Sequence, residues 1–158
     1  MEKRTVLFVD DEENVLSALR RGLLDEPYHT LFAHSGREAL EILARSPVHV
    51  IVTDMRMPEM GGLDLLRTVK REYPHVVRMV LSGYTQVTTL LTAINQGEVF
   101  RFVTKPWRLE DEFKPAVREA VKYYDCQNPQ SGTAAAVEPH QLESAERTLE
   151  RSPGLSPE

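Results

Sequence analysis

The feature that most constrains this chain is a repeated coincidence: short apolar runs that each stop at a polar, chemically capable residue. The runs are Thr5–Val9, Val48–Thr53, Val76–Leu81 and Val99–Thr104. The residues next in line are Asp10 and Asp11, Asp54, Ser82 and Lys105. In an open parallel sheet the carboxyl ends of the strands form the crevice where ligands bind. Three carboxylates, a hydroxyl and an ammonium gathered at that edge suit a divalent metal and a phosphoryl group.

The segments between the runs support such a sheet. Glu13–Leu24 carries Val15, Leu16, Leu19 and Leu23 at helical spacing. Tyr28–Ala33 reads as a weaker strand. Ser35 is placed to cap a helix running to Arg45, with Ala39, Leu40, Ile42 and Leu43 inward. Val48–Thr53 is β-branched and nearly all apolar, as a strand covered on both faces should be. A loop with Pro58, Gly61 and Gly62 leads to a helix over Leu63–Glu72. Helices from about Thr85 to Asn95 and on to about Tyr124 complete the alternation. Five strands alternating with five helices predict a doubly wound α/β domain with one parallel five-stranded sheet. Pro115 lies inside the last helical pattern. It predicts either a kink or a helix that starts near Lys114 after a first turn at Leu109–Phe113.

The chain's 158 residues leave room for one such domain and some spare length. The change comes at Cys126. Beyond it there is no aromatic residue, four of the ten prolines cluster, and five acids face two bases. Residues 3–125 are therefore expected to fold, and 126–158 to form a flexible, disordered tail. Within that tail only His140–Arg151 has an amphipathic pattern, and it is too short for a stable isolated helix. No apolar stretch approaches the roughly 20 residues needed to cross a bilayer, so no membrane role is expected. The N-terminus lacks a signal core. The single cysteine excludes an internal disulfide framework, which fits the cytoplasm. A net charge of −5 argues against a general nucleic-acid surface.

The chemistry at the strand ends can be read from the residue types. A hard cation such as Mg2+ takes oxygen ligands, and Mn2+ is the natural alternative. Asp10, Asp11 and Asp54 can supply those oxygens, and crowding them without a cation is costly. With the metal bound, Asp54 could accept a phosphoryl group as a carboxylate nucleophile. Lys105 would then offset charge on the phosphoryl oxygens, and Ser82 would donate a hydrogen bond to one. The histidines at 29, 34, 49, 75 and 140 show no ligand spacing and are expected at the surface or the core edge.

Four segments, in their order and separation, resemble the receiver (CheY-like) domain of bacterial two-component response regulators. They are Leu7-Phe-Val-Asp-Asp-Glu12, Thr53-Asp-Met-Arg-Met-Pro-Glu-Met-Gly-Gly62, Leu81-Ser-Gly83 and Thr104-Lys-Pro-Trp107. The resemblance implies the flavodoxin-like fold and assigns roles. Asp54 is the phosphoacceptor. Asp11, Asp54 and the backbone carbonyl of Arg56 are direct Mg2+ ligands, and Asp10 acts through a metal-bound water. Lys105 pairs with the phosphate and is joined to Pro106 by a cis bond. Ser82 and Phe102 are the switch hydroxyl and switch aromatic. The stretch from Ala93 to Trp107 further resembles receivers attached to HD-GYP-type cyclic-di-GMP phosphodiesterases, NtrC-like regulators or hybrid kinases.

The implied partners are a sensor histidine kinase or phosphotransfer protein and a downstream protein. A homodimer through the last two helices and the strand between them is a further option. Met1 and the Pro/Ser-rich end favour a stand-alone receiver over a piece of a longer regulator. The resemblance implies a switch that catalyses only its own phosphorylation and dephosphorylation. A relay intermediate feeding a histidine phosphotransfer protein is the alternative. A HAD-like phosphatase ranks last, because it expects an acid two residues after the nucleophile, where Arg56 stands.

Arg56 and Tyr84, two residues beyond Asp54 and Ser82, are large enough to screen the acyl-phosphate from in-line water. Slow self-dephosphorylation is expected. Replacing both with Ala should speed loss of radiolabelled phosphate from the protein, and unchanged decay would show that both side chains point away from the site.

Overall fold

The structure is a computed structural model that describes residues 3–82, 87–97, 99–104 and 108–128. Five strands, β1 (Thr5–Val9), β2 (His29–Ala33), β3 (Val50–Asp54), β4 (Val77–Ser82) and β5 (Arg101–Thr104), alternate with helices α1 (Glu13–Gly22), α2 (Gly36–Arg45), α3 (Gly62–Glu72), α4 (Val87–Asn95) and α5 (Lys114–Gln127). All strand pairs are parallel, in the order β2-β1-β3-β4-β5. That is the expected flavodoxin-like sheet, with its topological switch point between β1 and β3. One compact unit covers Lys3–Tyr124. The expected tail lies outside the described residues from 129 on.

Side chains alternate between the two faces of each strand, so the sheet carries two cores. Val6, Phe8, Val50, Val52, Met79 and Leu81 pack with Leu16 and Leu19 of α1 and Val117 and Ala120 of α5. Leu7, Val9, Ile51 and Val80 pack with Ala39, Ile42 and Leu43 of α2 and Leu65, Leu66 and Val69 of α3. Each side chain of this size contributes about 1.5–3 kcal/mol when fully buried. β1 has its expected bounds, and the other four strands depart from theirs by one or two residues at one or both ends. The difference that matters is Asp54, which is the last residue of β3 rather than the first of the loop.

Of the two outcomes expected at Pro115, the helix start is the one observed. Leu109–Phe113 forms a wide π turn in which the Glu112 and Phe113 N–H groups both donate to the Arg108 carbonyl, at 2.9 and 3.0 Å. Pro115 then falls in the first turn of α5, where a missing N–H leaves no interior gap. The turn also drives Phe113 into the core beside Phe8, with ring centroids 6.0 Å apart. Gly22, which from sequence alone is only a helix-weakening residue, has a packing reason: a Cβ there would lie 2.5 Å from Leu109 Cδ2.

A charged lock joins the turn after α1 to α5. The Glu26 side chain, 1% exposed, takes a two-pronged bond from Arg118 at 2.8 and 2.6 Å. Lys114, also buried, reaches Glu110 at 2.9 Å and Asp25 at 3.3 Å. Burial of these charges is tolerated because each has an opposite partner with good geometry.

At the other end of the fold, α3 starts against the end of β3. A Cβ built on Gly62 would sit 2.2 Å from the Asp54 carbonyl oxygen and 3.0 Å from Met55 Cα. Both obstacles are backbone and cannot swing aside. Gly62→Ala is therefore expected to destabilise the protein by about 1–3 kcal/mol, as overpacking does, despite alanine's better helix propensity. Urea denaturation measures this, and a stability gain would contradict the packing argument.

Candidate metal and phosphoryl site

The site is assembled by strand register. β1 stops at Val9, paired with Thr53, and β3 runs one residue further to Asp54, paired with Leu81 of β4. Asp10 and Asp11 therefore leave the sheet beside Asp54. The chain turns at once, because the Asp10 N–H donates to the Ala33 carbonyl at 3.1 Å and Asp10 Oδ1 accepts the Glu12 N–H at 2.9 Å. Asp10 and Asp54 are buried, while Asp11 is exposed. Thr53 Oγ1 donates to the Asp54 carbonyl at 2.9 Å, and the Met55 N–H donates to Leu81 at 3.1 Å, fixing the strand end.

One carboxylate oxygen from each of Asp10, Asp11 and Asp54 lies within 4.8 Å of the other two. Three carboxylates at that spacing concentrate negative charge that a bound cation would offset. An all-oxygen donor set with this charge matches a hard divalent cation far better than a thiophilic one. The residues thus fit the metal expected from the sequence.

Ser82 is buried at the end of β4, paired with Thr104, and Phe102 of β5 pairs with Val80. Residues two apart share a face, so Ser82 and Phe102 are diagonal neighbours on the side covered by α2, α3 and α4. Phe102 is half-buried and packs on that core. Arg56 is exposed on the loop after β3. Lys105, Pro106, Trp107 and Tyr84 lie outside the described residues. Five of the seven expected site residues thus come together or share an adjoining face: Asp10, Asp11, Asp54, Ser82 and Phe102.

Sequence reasoning missed a histidine at the rim. His34 is at the surface, as expected, yet its Nε2 lies 2.6 Å from Glu13 Oε1 and its Nδ1 3.3 Å from Glu38 Oε1. The Glu38 carboxylate also accepts the His34 N–H at 2.7 Å, while Ser35 Oγ accepts the Glu38 N–H at 3.0 Å. Half of this was readable, since Ser35 and Glu38 stand at capping-box spacing. The link to Glu13 spans 21 residues and has no local signal.

A family model for the response regulator receiver domain matches residues 6–117. The chain belongs to that family. It is 40% identical over 121 residues to the hydrogenase transcriptional regulatory protein HoxA of Cupriavidus necator, covering 77% of this chain but only 25% of HoxA. The receiver thus spans about a quarter of the length of that relative. Among solved structures, a protein described as adenylate cyclase from Rhodopirellula baltica superposes with a TM-score of 0.77 at 35% identity, over 82% of this chain and 95% of that one. The signal receiver domain of an HD domain-containing protein from Pseudomonas fluorescens Pf-5 superposes with a TM-score of 0.73 at 30% identity, over 79% and 99%. Among the described residues, no helix of this receiver is long and apolar enough to cross a membrane.

The rim histidine has a pH signature. Protonated, His34 can donate from both ring nitrogens; neutral, it can donate from only one. Glu13 foremost, then Glu38, hold its pKa above the ordinary 6.5, and His34 in turn holds the Glu13 carboxyl below 4.5. The histidine's contribution is complete below pH 6.5 and fades as pH rises through its raised value. The carboxylate's is complete above pH 4.5 and fades as pH falls through its lowered value. The stability difference between the natural protein and His34→Gln is therefore expected to peak between about pH 4.5 and 6.5. Urea midpoints across that range test it, and a difference that grows above pH 8 would reverse the assignment.

Proposed function

We propose that this receiver is a phosphorylation-dependent signalling switch whose phosphoacceptor is Asp54. The observation that carries the reading is the convergence of the three carboxylates beside a buried Ser82. Asp10, Asp11 and Asp54, with the Arg56 backbone carbonyl, would hold Mg2+. When bound, the cation offsets the charge of the carboxylates and of the incoming phosphoryl oxygens.

An Asp54 oxygen attacks the phosphorus of a phosphohistidine on a sensor kinase or phosphotransfer protein. The new O–P bond forms as the N–P bond breaks, and the donor imidazole leaves with its electron pair. Burial of Asp54 keeps bulk water from competing. Lys105 neutralises one phosphoryl oxygen and the Ser82 hydroxyl donates to another. Moving Ser82 toward the phosphate vacates space on the face it shares with Phe102, and Phe102 turns inward to fill it, altering the surface of β5 for a downstream partner. The protein promotes only its own phosphorylation and dephosphorylation, in the cytoplasm where such kinases work. The relay reading uses the same chemistry in reverse, toward a histidine phosphotransfer protein.

Incubation with a small phosphodonor and Mg2+ is expected to add one phosphoryl group by intact mass. Asp54→Asn, or chelation of the metal, should abolish the gain. With Mg2+ and beryllofluoride, amide signals at Ser82 and Phe102 should shift. A labelled Asp54→Asn variant, or an unchanged Ser82, would overturn the assignment.

A further inference from the structure

We infer that the start of α2, from His34 to Gly36, is a clamp that sets the spacing of the segments that follow β1 and β3, beside the three carboxylates, with Gly36 and Met60 as its positioning pair. The inference rests on reading those carboxylates as the metal site. This segment supplies no carboxylate to the cluster, yet it touches the start of α1 on one side and the β3–α3 loop on the other. On one side His34 holds Glu13, two residues beyond Asp11. On the other, Gly36 receives Met60, six residues beyond Asp54.

The Gly36 contact is the decisive one. A Cβ built there would lie 2.6 Å from Met60 Sδ and 3.1 Å from both its Cγ and its Cβ. The Sδ can swing aside, but the Cγ and Cβ stay tight, so an added methyl presses on the Met60 side chain as a whole and through it on the β3–α3 loop; removing Sδ and Cγ relieves most of that pressure. Glycine is a poor helix former, and Gly36 is buried as the first residue of α2. Its presence is explained by the seat it leaves for Met60.

The loop needs that seat. Its ends are tied by the Met55 N–H to Leu81 and the Gly62 N–H to the Met55 carbonyl, at 3.1 and 2.9 Å. Between them the Met60 N–H donates to Pro58 at 2.7 Å across Glu59, whose φ is +69°. A non-glycine residue in that region, closing a three-residue turn, is strained and persists only where its surroundings over-determine it. Met60 follows directly, and its packing on Gly36 anchors the turn. The anchor matters because the carboxylates repel one another, and loops free to relax would carry them apart. Supporting contacts of this kind commonly tune metal affinity by 10–100-fold.

The test uses the full chain in four forms: natural, Gly36→Ala, Met60→Ala and the double variant. Leu43→Ala, two turns along α2 in the same core, serves as a control for lost packing. Metal-free amide spectra read the clamp directly. Gly36→Ala is expected to shift the signals of Asp54 through Gly62, and the double variant to return them toward those of Met60→Ala alone. In Mg2+ titrations, Gly36→Ala should bind roughly tenfold more weakly, with most of that loss regained in the double variant. Should Gly36→Ala not fold, the double variant, relieved of the Sδ and Cγ overlap, is compared with Met60→Ala, and equal Mg2+ affinity is expected. The clamp is overturned if Gly36→Ala leaves the Asp54 signals in place, if Met60→Ala gives no rescue, or if Leu43→Ala weakens Mg2+ as much. Failure of the natural protein to bind Mg2+ would instead remove the metal-site reading, while the metal-free spectra would still decide the clamp.

Discussion

The mutual repulsion of Asp10, Asp11 and Asp54 is the constraint around which the carboxyl edge of this sheet is organised. Left to themselves, three carboxylates within 4.8 Å would repel one another and separate. Parallel register limits separation at the strand ends, because β1 and β3 are hydrogen-bonded neighbours up to Val9 and Thr53. The chain is then tied beside two of the carboxylates: Asp10 to Ala33 and Glu12, Asp54 through Thr53, with Met55 held to Leu81. Two of the three carboxylates, Asp10 and Asp54, are thereby held buried at the site, where under the proposed function added charge would act strongly. A cation and a phosphoryl group each change its electrostatics by more than any surface ion pair could.

The same constraint explains where glycine and strain occur. Gly62 lets α3 begin against the Asp54 carbonyl, and Gly36 lets the β3–α3 loop lie against α2. Both glycines are costs in helix propensity, set in the first turns of helices where function needs close approach. The strained Glu59 lies between them. Strain concentrated on one loop, and supported from both sides, fits an element that holds reactive groups in place rather than one that merely connects.

Much of this was legible in the sequence because it depends on local pattern. The apolar runs place Asp10, Asp11, Asp54 and Ser82 at strand ends, and the alternation of strand and helix then dictates a parallel sheet. Pro115 marked either a kink or a start of the last helix near Lys114, because proline acts on its own turn, and the start is what the fold uses. The contacts that escaped are those between residues with no periodic relation. His34 with Glu13, Gly36 with Met60, and Glu26 with Arg118 each join elements brought together only by the finished fold. Gly22 shows the same limit: helix propensity marks it as a weakness, and only the position of Leu109 shows what it admits. Lys105 was named from its place after the last strand, and nothing local could say how it is held.

How a change at Ser82 reaches the surface depends on which parts of α4 are fixed. Its C-terminal end is held three ways. Lys70 of α3 donates to the Gln96 carbonyl at 3.0 Å, Arg78 of β4 donates to Gly97 at 3.0 Å, and Gly97 takes a left-handed φ of +77° that ends the helix. Arg78 is itself braced against the Val76 carbonyl at 3.0 Å. Two cations on the last carbonyls also complement the negative end of the helix dipole. Ala93, near this end, is buried in the core, whereas Leu91 is half-exposed. Ser82 closes β4 on the same edge of the sheet as Asp54, and α4 is the next element in the chain. Under the switch reading, a displacement at Ser82 would reach a helix whose far end is braced against α3 and β4. Such a helix can answer by pivoting about that end more readily than by sliding as a whole. The exposed Leu91 lies on that helix, so under the switch reading the apolar surface offered to a partner would change with the chemistry at Asp54.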